Sequence, residues 1–160
     1  MGMSLTVTGL DNLVKKLQRL DKKVETKALK QSVRSAAKPV QAAAKSRVPV
    51  DSGVVKRSIG TKVKKYKGGA SAIIGPRKGF KSKKHSEEEI KTATRVATML
   101  EYGTPPHKID ITVDGKEVTL NHPGAAAKPF MRPAFEQNKA KAKSIMAEEL
   151  MKVINSEAGK

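Results

Sequence analysis

The 160-residue sequence contains no cysteine and no tryptophan. Without thiols it can form no disulfide, no zinc–thiolate site and no cysteine nucleophile. That absence fits a protein that works in a reducing cytoplasm. Two Tyr and three Phe are its whole aromatic complement, too little for the stacking platforms on which single-strand nucleic-acid binders lay their bases. No apolar run approaches the roughly 20 residues that span a bilayer, and the N-terminus lacks the apolar core of a secretion signal. Met1-Gly2 with Thr6 fits the myristoylation pattern only loosely and reads better as a start-site remnant. The expectation is a soluble intracellular protein with no membrane partner.

Acidic residues are the other shortage: 15 Asp+Glu stand against 33 Lys+Arg, a net charge of +18. The deficit is uneven. Residues 1–100 hold 24 basic and 7 acidic side chains, a net of +17, whereas residues 101–160 hold 9 and 8, a net of +1. A field of this kind favours a polyanion or an acidic protein surface as neighbour. With so few aromatics, any nucleic-acid contact is expected to be with phosphates and indifferent to sequence. The length suits one domain covering residues 1–160, able to bury about two thirds of its unfolded surface.

Periodicity places the elements. Leu10, Leu13, Val14, Leu17, Leu20 and Val24 recur at three- and four-residue steps and predict one amphipathic helix, with Thr8 and Asp11 resembling a capping box. A second helix is expected from about Glu25 to Lys45, kinked or divided at Pro39, which removes a backbone donor. Its many alanines imply close packing against a sheet or another subunit. Val48–Gly53 is a turn. Ser58–Tyr66 and Ala70–Gly75 read as a hairpin joined at Gly68-Gly69. Residues 76–85 carry Arg77, Lys78, Lys81, Lys83 and Lys84 and no acid, which predicts a basic loop, mobile until an assembly orders it.

Glu87, Glu88 and Glu89 open a third helix, where acids suit the positive end of the dipole. Gly103 and Pro105-Pro106 close it. Residues 109–120 form a second hairpin around Asp114-Gly115. Pro133 stands in the first turn of a last helix, faced by Phe135, Ala142, Ile145, Met146, Leu150 and Val153. The fold class is α+β: short antiparallel strands in two hairpins, packed with an N-terminal and a C-terminal amphipathic helix.

Catalytic chemistry finds little support. His107 and His122 flank the second hairpin, with Asp110 nearby, but the close ligand spacing of a metal site is absent. Gly75–Ser82 looks like a phosphate loop, yet three residues rather than four separate its glycines, Phe80 precedes the lysine, and Pro76 lacks an N–H. No Gly-x-Ser-x-Gly elbow frames a nucleophile. The expectation is a non-enzyme without metal or cofactor.

Three segments together carry a resemblance. Val48-Pro49-Val50-Asp51-Ser52-Gly53 with Arg57-Ser58-Ile59, then Leu100-Glu101-Tyr102-Gly103-Thr104, then Pro129-Phe130-Met131-Arg132-Pro133-Ala134 resemble, in order and spacing, the neck and tail-completion (minor tail component) family of long-tailed bacteriophages. Gly9–Leu13 is similar to that family's opening helix. Ser52 replaces the family's usual Thr, and the loop at 76–85 and hairpin at 109–120 look like elaborations.

The resemblance implies a structural virion protein at the head–tail junction or tail end. It would form a homo-oligomeric ring around the DNA channel, beside other neck, connector or tail proteins. The family-motif residues are Asp51, Gly53, Ser58, Ile59, Glu101, Tyr102, Gly103, Thr104, Pro129, Phe130, Arg132 and Pro133. Phe130 and Arg132 are candidate subunit contacts. Lys62, Lys64, Lys81, Lys83 and Lys84 are candidates to face double-stranded DNA or an acidic neighbour. The alternative is a stand-alone, sequence-nonspecific double-stranded DNA-binding protein, which the charge favours but no groove-reading motif supports. An enzyme acting on nucleic acid ranks last, for want of a carboxylate cluster.

Overall fold

Ten elements follow one another in the computed structural model, which describes residues 2–6, 11–67, 69–113 and 115–158. They are β1 (Met3–Thr6), α1 (Asp11–Leu17), α2 (Lys22–Arg47), α3 (Val54–Ser58), β2 (Ile59–Tyr66), β3 (Gly69–Pro76), α4 (Glu87–Tyr102), β4 (His107–Val113), β5 (Lys116–His122) and α5 (Met131–Ala158). Mixed helix and antiparallel strand make this an α+β fold, as the periodicities require.

Between Leu13 and Val24 the apolar stripe is carried by two helices, not one. After α1 the chain tightens, with Arg19 and Leu20 donating their N–H groups to the carbonyls of Lys16 and Leu17 three residues back. Asp21 then caps α2, its carboxylate accepting from the Lys23 N–H at 2.7 Å. Leu10 and the Thr8 of the expected capping box lie outside the described residues. Pro39 does not divide α2. One donor is lost there, but Ala36, Ala37, Val40 and Ala44 are buried on both sides of the proline, and that packing outweighs a single missing bond.

Ala28, Ala36, Ala37 and Ala44 of α2 are buried within the chain. This helix is the central wall, packed on the sheet through β2 and β3 and on α5 over most of its length. Gln31 bonds Glu149 and Arg47 bonds Gln137, so α2 and α5 run antiparallel. Leu29, Val33 and Val40 of α2 meet Met146 and Leu150 of α5 and Ile59 and Ile74 of the sheet in one continuous core.

The sheet has the order β1–β3–β2, antiparallel throughout. Strand β1 and helix α3 are elements that periodicity does not predict. The expected first hairpin is present as β2–β3, with Thr61 opposite Ile74 and Val63 opposite Ala72 on the core side. Gln41 and Lys65 tie its inner face to α2: the Thr61 hydroxyl donates to the Gln41 side-chain oxygen, and Lys65 Nζ donates to the Thr26 hydroxyl. The second hairpin, β4–β5, is a separate two-stranded sheet with Ile109 opposite Leu120 and Ile111 opposite Val118. Its turn residue Asp114 lies outside the described residues.

Leu29 is buried to 1 % exposure at the junction of these layers. Leu29→Ala is expected to lower stability by about 3 kcal/mol, the ordinary cost of an unfilled core cavity. Urea denaturation checks this, and a loss below about 1 kcal/mol would place Leu29 outside the structural centre.

Candidate functional site

Two of the family-motif segments are held together by one buried carboxylate. Glu101, at the end of α4, has 6 % exposure and accepts three backbone hydrogen bonds. Its Oε2 takes the N–H groups of Phe130 at 2.7 Å and Met131 at 2.9 Å, and its Oε1 takes that of Arg132 at 3.0 Å. These are donors that the first turn of α5 cannot satisfy internally, and the positive end of the helix dipole adds to the attraction. Glu101 is therefore a cap supplied from a distant helix.

The residues around it serve the same junction. Gly103 adopts φ +73°, and a Cβ there would come within 2.5 Å of the Ala125 carbonyl. Thr104 and Ala125 exchange both backbone bonds, and the Lys128 N–H donates to the Leu100 carbonyl at 2.7 Å. The connector is thus strapped along the end of α4. Phe130 has no exposed surface and fills its own chain's core. Arg132, Tyr102 and Pro129 are exposed, and Pro133 is half-buried in the first turn of α5.

The first motif segment is an entry to the sheet. Gly53 takes φ +81° immediately before α3, a backbone that favours glycine. Ser58 is buried, its hydroxyl donating to the Val55 carbonyl, and its own carbonyl accepts from the Arg77 backbone N–H and Nε. Ile59 is a core residue, while Asp51 is exposed.

The basic loop is tethered rather than free. Phe80 is buried, and His85 bonds the Ser82 hydroxyl and, through Nε2, the Ser52 carbonyl at 3.0 Å. Next to it, Ser86 and Glu89 form a reciprocal capping box at the start of α4. The Ser86 backbone N–H, then its hydroxyl, hold the Glu89 carboxyl below its ordinary value of 4.5 against slight desolvation, with further help from Ser52 and the charge of His85. Between α4 and the 49–55 segment lies an open groove of ≈ 580 Å³, with Val50, Val54, Val55, Val96 and Leu100 among its walls.

Cations gather on two faces. Side chains alternate along β2, so Lys62 and Lys64 point away from the core, on the same side as Gly60. The Arg77 side chain lies across Gly60, where a Cβ would clash with it. None of the three strands β1–β3 contains an acid. Lys81, Lys83 and Lys84 are exposed in the loop beyond. The second face was not foreseen: Lys27, Lys30, Arg34 and Lys38 line one shallow depression along α2, and none joins an ion pair among the described residues. Their spacing of three, four and four residues is the signal that phasing the charges, as well as counting them, would have revealed.

His107 and His122 do meet, with ring centroids 4.9 Å apart. Each has Nδ1 engaged, with the Pro105 carbonyl and the Gly124 N–H respectively, and Asp110 bonds Thr119 instead. Among the described residues no group of three or more metal-ligating side chains is assembled. Among them, too, no helix is long and apolar enough to cross a membrane.

The junction chemistry is open to direct test. Glu101→Gln replaces an acceptor oxygen by an N–H₂ group facing backbone donors, and is expected to cost about 2–3 kcal/mol in denaturant unfolding. An unchanged midpoint would remove the capping role. Ser86→Ala should lower the midpoint at about pH 7 and do so less at about pH 3. The sign follows from the depressed Glu89 value: its contribution is present above 4.5 and fades as the pH falls through the lower folded value.

Comparison with known proteins places this arrangement. A family model described as "Bacteriophage HK97-gp10, putative tail-component" matches residues 11–103, from the start of α1 to the cap of α4. No curated protein and no solved structure matches the chain. The match takes in the first motif segment and the second as far as Gly103, and the third is bound to the second through Glu101. With more than half of its 160 residues matched, the chain belongs to the HK97-gp10-like family of bacteriophage tail components.

Proposed function

We propose that this chain is a structural, non-catalytic subunit of the head–tail junction or tail end. In this reading it closes into a homo-oligomeric ring around the DNA channel, beside other neck, connector or tail proteins. The observation that carries the assembly role is the β4–β5 hairpin. It stands apart from the core, and Ile111, Val118 and Leu120 are exposed on one of its faces. An apolar face left open in this way marks a protein contact. A closed ring also needs two different contact faces on each copy, so that one copy follows another head to tail.

Within the ring, the outward side of the sheet supplies Lys62, Lys64 and Arg77, and the following loop supplies Lys81, Lys83 and Lys84. These cations suit the phosphates of channel DNA or an acidic neighbouring ring. A second reading is favoured by the row Lys27, Lys30, Arg34 and Lys38 on α2, none in an ion pair among the described residues: a stand-alone protein that coats duplex DNA without regard to sequence.

Native mass spectrometry of the purified chain, with and without duplex DNA, separates the two. A discrete oligomer, or a monomer that ignores DNA yet joins phage particles, supports the ring. A monomer that loads in proportion to DNA length supports the coating protein and sinks the ring. Replacing Lys81, Lys83 and Lys84 with Ser should leave assembly intact and weaken DNA retention. It should also lower the salt slope of DNA binding by about one for every phosphate that the loop no longer neutralises. Unchanged retention and slope would show that the loop does not touch DNA.

A further inference from the structure

We infer that the β4–β5 hairpin of one copy seats its apolar face in the groove between α4 and the 49–55 segment of the next copy. This rests on the ring reading and names the contact that would build it.

The hairpin is two-faced. Directly paired residues share a face, so His107 and His122, Ile109 and Leu120, and Ile111 and Val118 lie on one side. Lys108, Asp110, Thr112, Glu117, Thr119 and Asn121 lie on the other, where Thr119 donates to Asp110 at 2.7 Å. A solvated two-stranded ribbon is marginal by itself and needs a surface under its apolar side. Among the described residues its own chain supplies little: Leu120 is 48 % exposed, and β4 and β5 pack substantially only on each other.

The groove is the matching deficit. Its walls include Val50, Val54, Val55, Val96 and Leu100, and Val50 is 61 % exposed. No hairpin residue lines it within the same chain. Four aliphatic side chains in two rows about 5 Å apart and about 7 Å long form a patch suited to a cleft of ≈ 580 Å³.

Charge selects the same pairing. In a chain so poor in acids, Asp51 and Glu89 both stand on the groove lining, with Lys128 its one cation. By alternation the charged residue on the apolar side of the hairpin is Lys116, which is exposed. On its apolar side the hairpin thus brings Lys116 to the groove's Asp51 and Glu89. The two surfaces are different and complementary, so the contact is heterologous and repeats from copy to copy. It also gives the first motif segment a task besides its turn, since Pro49, Val50, Asp51 and Gly53 all border the seat.

The absence of cysteine makes the test clean. Full-length chains carrying Leu120→Cys are mixed with chains carrying Val96→Cys under mild oxidation. The expected product is the mixed disulfide, and a chain bearing both substitutions should give a covalent ladder that ends at the ring mass. Leu120→Asp should abolish the ring peak in native mass spectrometry while leaving the thermal unfolding midpoint unchanged, because the hairpin does not contribute to the core. If Leu120→Cys chains pair only with one another, hairpins face hairpins and the inference is overturned. A ring peak without any mixed disulfide also overturns it, with the ring reading intact. If the unmodified chain forms no oligomer, alone or on phage particles, the ring reading fails and the inference with it.

Discussion

One buried carboxylate decides how the two halves of this molecule meet. Glu101 ends one helix and begins another, holding the N–H groups of Phe130, Met131 and Arg132 in place. Burying a charge is costly unless its lone pairs are filled, and here three backbone donors and a helix dipole fill them. With the start of α5 fixed, Phe130 and Met131 drop into the core and α5 runs back along α2. The layered arrangement of sheet, α2 and α5 depends on that starting point.

Much of this was legible in residue patterns. Asp114-Gly115 and Gly68-Gly69 announced both hairpins, and Glu87–Glu89 with Gly103 bracketed α4 to within a residue. What stayed hidden has physical reasons. The stripe from Leu10 to Val24 keeps a helical phase across the break at Gln18–Asp21, so periodicity alone could not see the turn. Strand β1 is four residues long, and its partner β3 lies about seventy residues away in sequence. Helix α3 is too short for a periodic signal. The acidic side chain of the Glu-Tyr-Gly-Thr segment looked like a helix end because its three partners are some thirty positions downstream.

The charge asymmetry also takes on a shape. The excess of cations in residues 1–100 is spread over a ridge on α2, the outer side of the sheet and the loop that follows it. By contrast, the groove beside α4 holds two of the few acids in that stretch. Alternating basic and acidic surfaces of this kind orient neighbours by attraction and repulsion before any apolar contact forms.

The short bridge between Thr104 and Ala125 has a consequence for what lies between its ends. Both exits of the β4–β5 arm are clamped there, with Gly103 and Gly124 allowing the strands to leave at close quarters. The cap on α5 sits behind the clamp, so the arm can lengthen or shorten by residue pairs without shifting the helices, and the entropy of closing a longer loop rises only slowly. The body is a fixed mount, and the arm is the part whose length can change without disturbing it.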